Sequence, residues 1–256
     1  MKTFIKNLLL VICFTVGYIG YCHSGTIDPN IPDAQYIEYG KAFKCIYKIC
    51  GSYNDKGLFC ASCVIIDKNW ALTCAHVVQN SNLCVIHQGD EAYIVDKIIV
   101  HEDFKSDSFG QNDIALCHLS KNIILDYYPP LYDKDDEFNK LCSISGYGLT
   151  GTFVTGANTS DNIKRAGSNK IDYIEKDLLM CSPSKSRKTS LEFLIASGDS
   201  GGGLFIDQKL AGINSCVIAS DKKPNSSYGD ESGHIRISKY IKWINTNILK
   251  SNAETD

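Results

Sequence analysis

Methionine and tryptophan are scarce, with two residues each, and proline appears only six times in 256 residues. So few prolines leave no room for a proline-rich arm or spacer. An excess of either charge is also missing: 26 Lys and Arg face 29 Asp and Glu, giving a formal net charge of −3. The chain has no electrostatic reason to seek nucleic acid, and no basic cluster argues otherwise. The stretch Lys185-Ser186-Arg187-Lys188 is short and serine-rich and reads as a solvated loop. Internal repeats and low-complexity tracts are absent. What remains, 44% hydrophobic and 21% charged residues, is an ordinary globular composition. It suits one sizeable unit or two packed sub-domains with a real core.

The one long apolar run stands at the start. Residues 1–24 carry a charged beginning, an apolar segment over 8–19 and the ending Cys22-His23-Ser24. That pattern reads as a secretory signal peptide cut before Gly25, and the apolar run is short for a membrane span. A lipid anchor on Cys22 is disfavoured by the bulky Tyr21 before it. The mature protein is therefore expected to be soluble and exported, periplasmic if the source is bacterial. Loss of Lys2 and Lys6 moves its net charge to −5.

Twelve cysteines, less Cys13 and Cys22 in the leader, leave ten. Export permits disulfides, but an even count does not fix their pairing. Cys45, Cys50, Cys60 and Cys63 lie close together, which raises a zinc site. Structural zinc favours close pairs on turns, whereas Cys45 and Cys50 bracket a strand-like run; buried thiols or local disulfides fit better. No metal or cofactor is called for.

Most of the chain reads as short strands broken by Gly, Asn and Asp turns. Strand-like runs cover 45–50, 63–66, 70–73, 93–100, 141–145 and 204–206. Asp207-Gln208 reads as a tight reversal into 209–217. A poorly periodic segment with Tyr-Tyr-Pro-Pro and an acidic cluster predicts a linker over 127–139. It separates halves at about 40–126 and 140–236 within a domain spanning 25–256. A helix is expected over 238–249, with Ser238 as N-cap and Tyr240, Ile241, Ile244 and Ile248 on one face.

Three local patterns carry chemistry. Thr73-Cys74-Ala75-His76 comes first, then Asn112-Asp113-Ile114-Ala115-Leu116, then Ser197-Gly198-Asp199-Ser200-Gly201-Gly202. Serine is a weak nucleophile at neutral pH and needs a base; the base needs a third group to fix its tautomer. Glycines beside Ser200 let the backbone turn sharply and aim amides at a developing oxyanion. Gly198–Gly202 alone could be a glycine-rich turn, and a lone His or Asp is usually structural, but three such patterns in this order point to one site.

These residues resemble the trypsin/chymotrypsin family of serine peptidases, closer to its bacterial secreted members than to the digestive enzymes. Trp70–His76, Asn112–Leu116 and Gly198–Gly202 match its histidine, aspartate and serine motifs. Ser145-Gly146-Tyr147-Gly148, residues 210–215 and residues 236–244 are weaker echoes. The resemblance implies an all-β fold of two packed antiparallel barrels with a C-terminal helix and a cleft between them. It implies Ser200 as nucleophile, His76 as base and then acid, and Asp113 as its orienting partner. The amides of Gly198 and Ser200 would form the oxyanion hole. Ser215 would bond the aspartate, and residues 215–217 would pair with the backbone of a protein or peptide substrate.

Specificity follows from the same mapping. Leu194, six residues before Ser200, takes the pocket base where a carboxylate would be needed for Lys or Arg. Val217 and Ser232 take the walls, so small or medium apolar residues are expected at the cleaved position. Asp199 is the family's partner for a freed N-terminus, yet no Ile-Val-Gly-Gly segment follows the leader. His87, His101 and His118 read as structural or solvent-facing. Two other readings compete. A nucleophile elbow of an α/β-hydrolase needs the order Ser, acid, His, which this chain lacks. A catalytically inactive binding protein on the same fold differs only in whether the geometry is assembled.

Overall fold

The computed structural model describes residues 25–53, 57–107 and 110–253. The signal-peptide reading of residues 1–24 lies outside them.

In the first half, short strands bury one face. β2 (Ile46–Tyr53), β3 (Gly57–Asp67), β4 (Trp70–Thr73), β5 (Ser81–Gln88), β6 (Glu91–Val100) and β7 (Ala115–Leu119) close into a barrel in the order β2-β3-β4-β7-β6-β5. Ile46, Ile49, Val64, Leu72, Ile86 and Leu116 fill it, each at most 1% exposed. Burial of such side chains stabilises a fold by about 1.5–3 kcal/mol each. Closure also leaves this unit without an exposed sheet edge.

The second half is a seven-stranded antiparallel sheet in the order β11-β8-β15-β16-β17-β13-β12. Its members are β8 (Leu141–Gly146), β11 (Arg165–Lys170), β12 (Tyr173–Glu175), β13 (Leu178–Cys181), β15 (Gly203–Ile206), β16 (Lys209–Ala219) and β17 (Asp230–Arg236). The reversal at Asp207-Gln208 is confirmed. Both residues take positive φ, 48° and 65°, the backbone handedness that matches the twist of a tight hairpin. A four-stranded sheet adds β1 (Thr26–Ile27), β9 (Thr150–Thr152), β10 (Gly156–Thr159) and β14 (Phe193–Leu194).

The segment read as a linker is clamped down. Glu137 is fully buried, and its two oxygens accept bonds from Arg236 Nε and Nη2 at 3.0 and 2.6 Å. The C-terminal helix, α3 (Ile241–Ala253), starts later than expected. Ser238 sits in a 3₁₀ turn over Ile237–Lys239, and its hydroxyl donates to Glu137 rather than capping the helix. A short helix α1 (Asp33–Gly40) went unread in the sequence. The other helix, α2 (Ala75–Val78), is one turn long.

Candidate active site

Strand pairing assembles the site. β4 and β7 pair with Thr73 opposite Ala115, so the segments after Thr73 and before Ala115 leave the barrel at one end. They carry His76 on α2 and Asp113. In the other half, Gly203 pairs with Ile213 and the Gly201 amide bonds Asn214 O, which sets Ser200, just before β15, beside Ser215 of β16.

There the three motifs meet. His76 Nδ1 lies 2.7 Å from Asp113 Oδ2, and His76 Nε2 lies 3.1 Å from Ser200 Oγ. A carboxylate only accepts, so Nδ1 carries the hydrogen and Nε2 presents a lone pair to the serine hydroxyl. Asp113 is 2% exposed, and a buried carboxylate needs donors. It has them: the His76 amide at 2.8 Å on Oδ1, and the Ser215 hydroxyl at 2.7 Å on Oδ2. The expected bond between Ser215 and the aspartate is present. His76 keeps a side chain 43% exposed, open to a substrate.

The turn around Ser200 is held from both halves. Ser62 of β3 donates its amide to Ser200 O at 2.9 Å and its hydroxyl to Gly198 O at 3.0 Å. Gly201 sits at φ 85°, and a Cβ there would fall 2.1 Å from Ser62 O. The Asp199 and Gly201 amides are bonded to Ala196 O and Asn214 O. Among the described residues, the amides of Gly198 and Ser200 donate to no acceptor. They are the two that the sequence reading assigned to an oxyanion.

Asp199 has a partner the sequence did not reveal. It is fully buried, and Oδ2 accepts from the Gly25 and Ala196 nitrogens, both at 2.8 Å. Oδ1 accepts from the Gly148 nitrogen at 2.8 Å. Gly148 makes room: a Cβ there would lie 2.5 Å from the Asp199 carboxyl carbon. Gly25, at φ 51°, has the Phe193 ring 2.1 Å from where a Cβ would stand.

The remaining assigned residues are less uniform. Leu194 is fully buried on β14, opposite Thr26. Val217 is half-buried and pairs with Ser232 across β16 and β17. Ser232 is fully buried, and its hydroxyl is engaged by Cys181 O at 3.2 Å and His234 Nε2 at 2.9 Å. That commitment leaves it little to offer a bound side chain. A cavity of about 860 Å³ is lined by Ser197, Tyr147, Phe59 and the Cys50–Cys60 disulfide, and by none of Leu194, Val217 and Ser232.

The other histidines have structural partners. His118 bridges Asp96 and Asn69 at 2.6 and 2.9 Å, and His101 packs against Tyr240 and Trp243. Burial lowers the pKa of His87. Ser62 was missed because it lies in no pattern that announces it, whereas Asn214 stood within the echo over 210–215, beside Ser215. Thr73, whose hydroxyl donates to Ser62 O at 2.9 Å, stood inside the histidine motif and could have been found.

The four-cysteine zinc possibility resolves otherwise. Cys50 and Cys60 form a disulfide across β2 and β3, while Cys45 and Cys63 are buried thiols. Six further cysteines are free, so the ten described cysteines comprise one bridge and eight thiols. One group of metal-binding donors is nonetheless within the site: Cys74, His76 and Asp113.

Comparison with known proteins identifies the family and the fold. Chymotrypsin-like elastase family member 1 of Canis lupus familiaris is 26% identical over 259 residues, covering 88% of each chain. Serine protease SSP1 of Scolopendra subspinipes is 26% identical over 212 residues, covering 72% of this chain and 71% of that one. These relatives are animal proteins, so the expected closeness to bacterial secreted members is not supported. Among solved structures, HL collagenase superposes with a TM-score of 0.67 at 20% identity, covering 90% of this chain and 98% of that one. Neuropsin, a serine protease expressed in the limbic system of mouse brain, gives a TM-score of 0.63 at 19% identity, covering 87% and 98%. At such identities the superpositions speak for the fold. A family model for Trypsin matches residues 43–244, which is most of the chain, and the protein belongs to the trypsin family as a serine-type endopeptidase.

Proposed function

We propose that this chain is an exported endopeptidase that cleaves peptide bonds through Ser200, His76 and Asp113 and an acyl-enzyme. The carrying observation is the continuous relay from Asp113 Oδ2 through His76 to Ser200 Oγ, with contacts of 2.7 and 3.1 Å. Ser200 Oγ attacks the scissile carbonyl carbon while His76 Nε2 takes its proton. Asp113 stabilises the resulting imidazolium. The carbonyl oxygen, now an anion, receives the Gly198 and Ser200 amides; each such donor contributes about 2.7–4 kcal/mol. His76 then gives its proton to the leaving amine. A water, activated by the same histidine, releases the acyl group and restores Ser200.

The pocket base at Leu194 offers no carboxylate to a cationic side chain, which supports cleavage after small or medium apolar residues. A peptide library should be cut after Ala, Val or Leu; dominance of Lys or Arg would overturn that preference.

Activation rests on Gly25. A cut before it turns the nitrogen 2.8 Å from Asp199 Oδ2 into an ammonium. Removal of the leader then places an ammonium beside the buried carboxylate, with no separate activation cut. Mass spectrometry of the secreted protein should find Gly25 first. A fluorophosphonate probe tests the whole reading: it should label the wild type, and Ser200→Ala and His76→Ala should each abolish labelling. An unreactive wild type would favour a binding protein on the peptidase fold.

A further inference from the structure

Cys74 stands two residues before His76, in a place the proposed catalysis does not use. Its side chain is fully buried, and Sγ donates to Asn214 O at 2.9 Å. The Sγ, an imidazole nitrogen of His76 and a carboxylate oxygen of Asp113 all lie within 4.8 Å of one another. A sulfur, a nitrogen and a carboxylate oxygen are the donor types that zinc takes in tetrahedral sites, with a water as the fourth ligand. Ligand bonds of about 2.0–2.3 Å place donors on one ion some 3–4 Å apart, and donors already within 4.8 Å of one another reach that spacing by a small side-chain adjustment. Thiolate also selects thiophilic ions over magnesium or calcium.

From this cluster we infer an inhibitory site for a thiophilic divalent cation, Zn²⁺ or Cd²⁺, built from Cys74 Sγ, His76 Nδ1 and Asp113 Oδ2. The role of His76 as base comes from the proposed function; the binding itself does not depend on it. Two ligands are fixed. Asp113 is held by the Ser215 hydroxyl at 2.7 Å and the His76 amide at 2.8 Å, and Cys74 is the fully buried N-cap residue of α2. The imidazole is the ligand that can move, because its side chain is 43% exposed. A small opening of the 2.7 Å contact between Nδ1 and Oδ2 admits the ion.

The proton balance explains why binding stops catalysis. The thiol of Cys74 loses its proton to solvent and binds as thiolate. Asp113 is already a carboxylate. On His76 the ion takes the Nδ1 lone pair, so the single hydrogen of the neutral ring must sit on Nε2. Nε2 then faces Ser200 Oγ as a donor and can no longer accept the serine proton. One ion and one released proton thus convert the base into its inactive tautomer, without any covalent change.

Peptide hydrolysis by the wild type should fall on titration with Zn²⁺ and return with EDTA. Cys74→Ala, and Cys74→Ser with a hydroxyl still able to donate to Asn214 O, should keep the metal-free rate. Both should raise the half-inhibitory Zn²⁺ concentration by at least about tenfold, since disturbing even a ligand's supporting partners costs 10–100-fold. Equal inhibition of wild type and both variants, or none at all, overturns the site. Binding is read separately on Ser200→Ala protein by the ultraviolet sulfur-to-cadmium charge-transfer band. A band lost on adding Cys74→Ser supports the site even if hydrolysis is never observed, in which case the peptidase reading alone falls. A band unchanged by Cys74→Ser overturns the site and leaves the peptidase reading standing.

Discussion

The two halves of the molecule serve the site by different means. The closed barrel delivers side chains: His76 and Asp113 leave it from neighbouring strands, 2.7 Å apart, and the other half adds one side-chain hydroxyl, Ser215, to Asp113. The seven-stranded sheet delivers main chain: its turn presents Ser200 and two amides, and shaping that turn takes contacts from residues 25, 62, 148 and 214. In the proposed mechanism the base and its orienting partner thus come from one half, whereas the turn that would receive the oxyanion is shaped by residues from the whole chain. Substitutions in the two halves should fail differently.

The largest effect is expected where the halves touch. Ser200→Ala and His76→Ala should each lower kcat on the order of 10⁶-fold, and the double variant should be no worse than either alone. Additive losses in single-turnover kinetics would mean that the two do not act as one unit. Next, Asp113→Asn should lower kcat by about 10⁴-fold while keeping the fold, because an amide can hold the wrong tautomer of His76. On the sheet side, retaining the leader or acetylating Gly25 should lower kcat/KM by about 10²–10³-fold, the scale of breaking one buried charge pair. Here His76 and Asp113 stay untouched, so Ser200 labelling should slow in parallel. Full activity of the unprocessed chain would show that the turn forms without its ammonium.

The smallest effect concerns stability and compares thiols between the halves. Burial raises the pKa of Cys45 to about 12 and of Cys216 to about 11, from 9.0. The native state keeps these protons while the unfolded chain loses them. The stability they contribute is thus whole below about pH 9 and falls as pH rises towards 11–12. Each thiol contributes about 1.4 kcal/mol per pH unit there. Burial of Lys164 lowers its pKa to about 8, which acts in the opposite sense between pH 8 and 10.5. Urea unfolding from pH 8 to 11 should show a net decline, made shallower by Cys45→Ala.

The sequence was most readable where chemistry is local. Trp70–Thr73 is a strand at the positions its apolar run predicts, and the Asp207-Gln208 reversal forms with both residues at positive φ. His76, Asp113 and Ser200 each sat in a distinctive neighbourhood. Contacts between distant segments left no such trace. Nothing near Ser62 says that it will brace Ser200, and the Asp199 partner lies 174 residues away at Gly25. Helix α1 was unread because its stabilisation is tertiary: Tyr36 is fully buried and Asp33 pairs with Arg165 Nε at 2.6 Å. Ser238 looked like a cap because sequence alone could not show Glu137 claiming its hydroxyl.

One measurement bears on the central claim most directly: stopped-flow hydrolysis of an activated peptide ester with Ala or Val at the cleaved position. A trapped acyl-Ser200 predicts a burst of one leaving group per enzyme, followed by slower turnover, and no burst in Ser200→Ala or His76→Ala. A burst that survives Ser200→Ala, or a wild type that releases no leaving group above the rate in buffer, would contradict it.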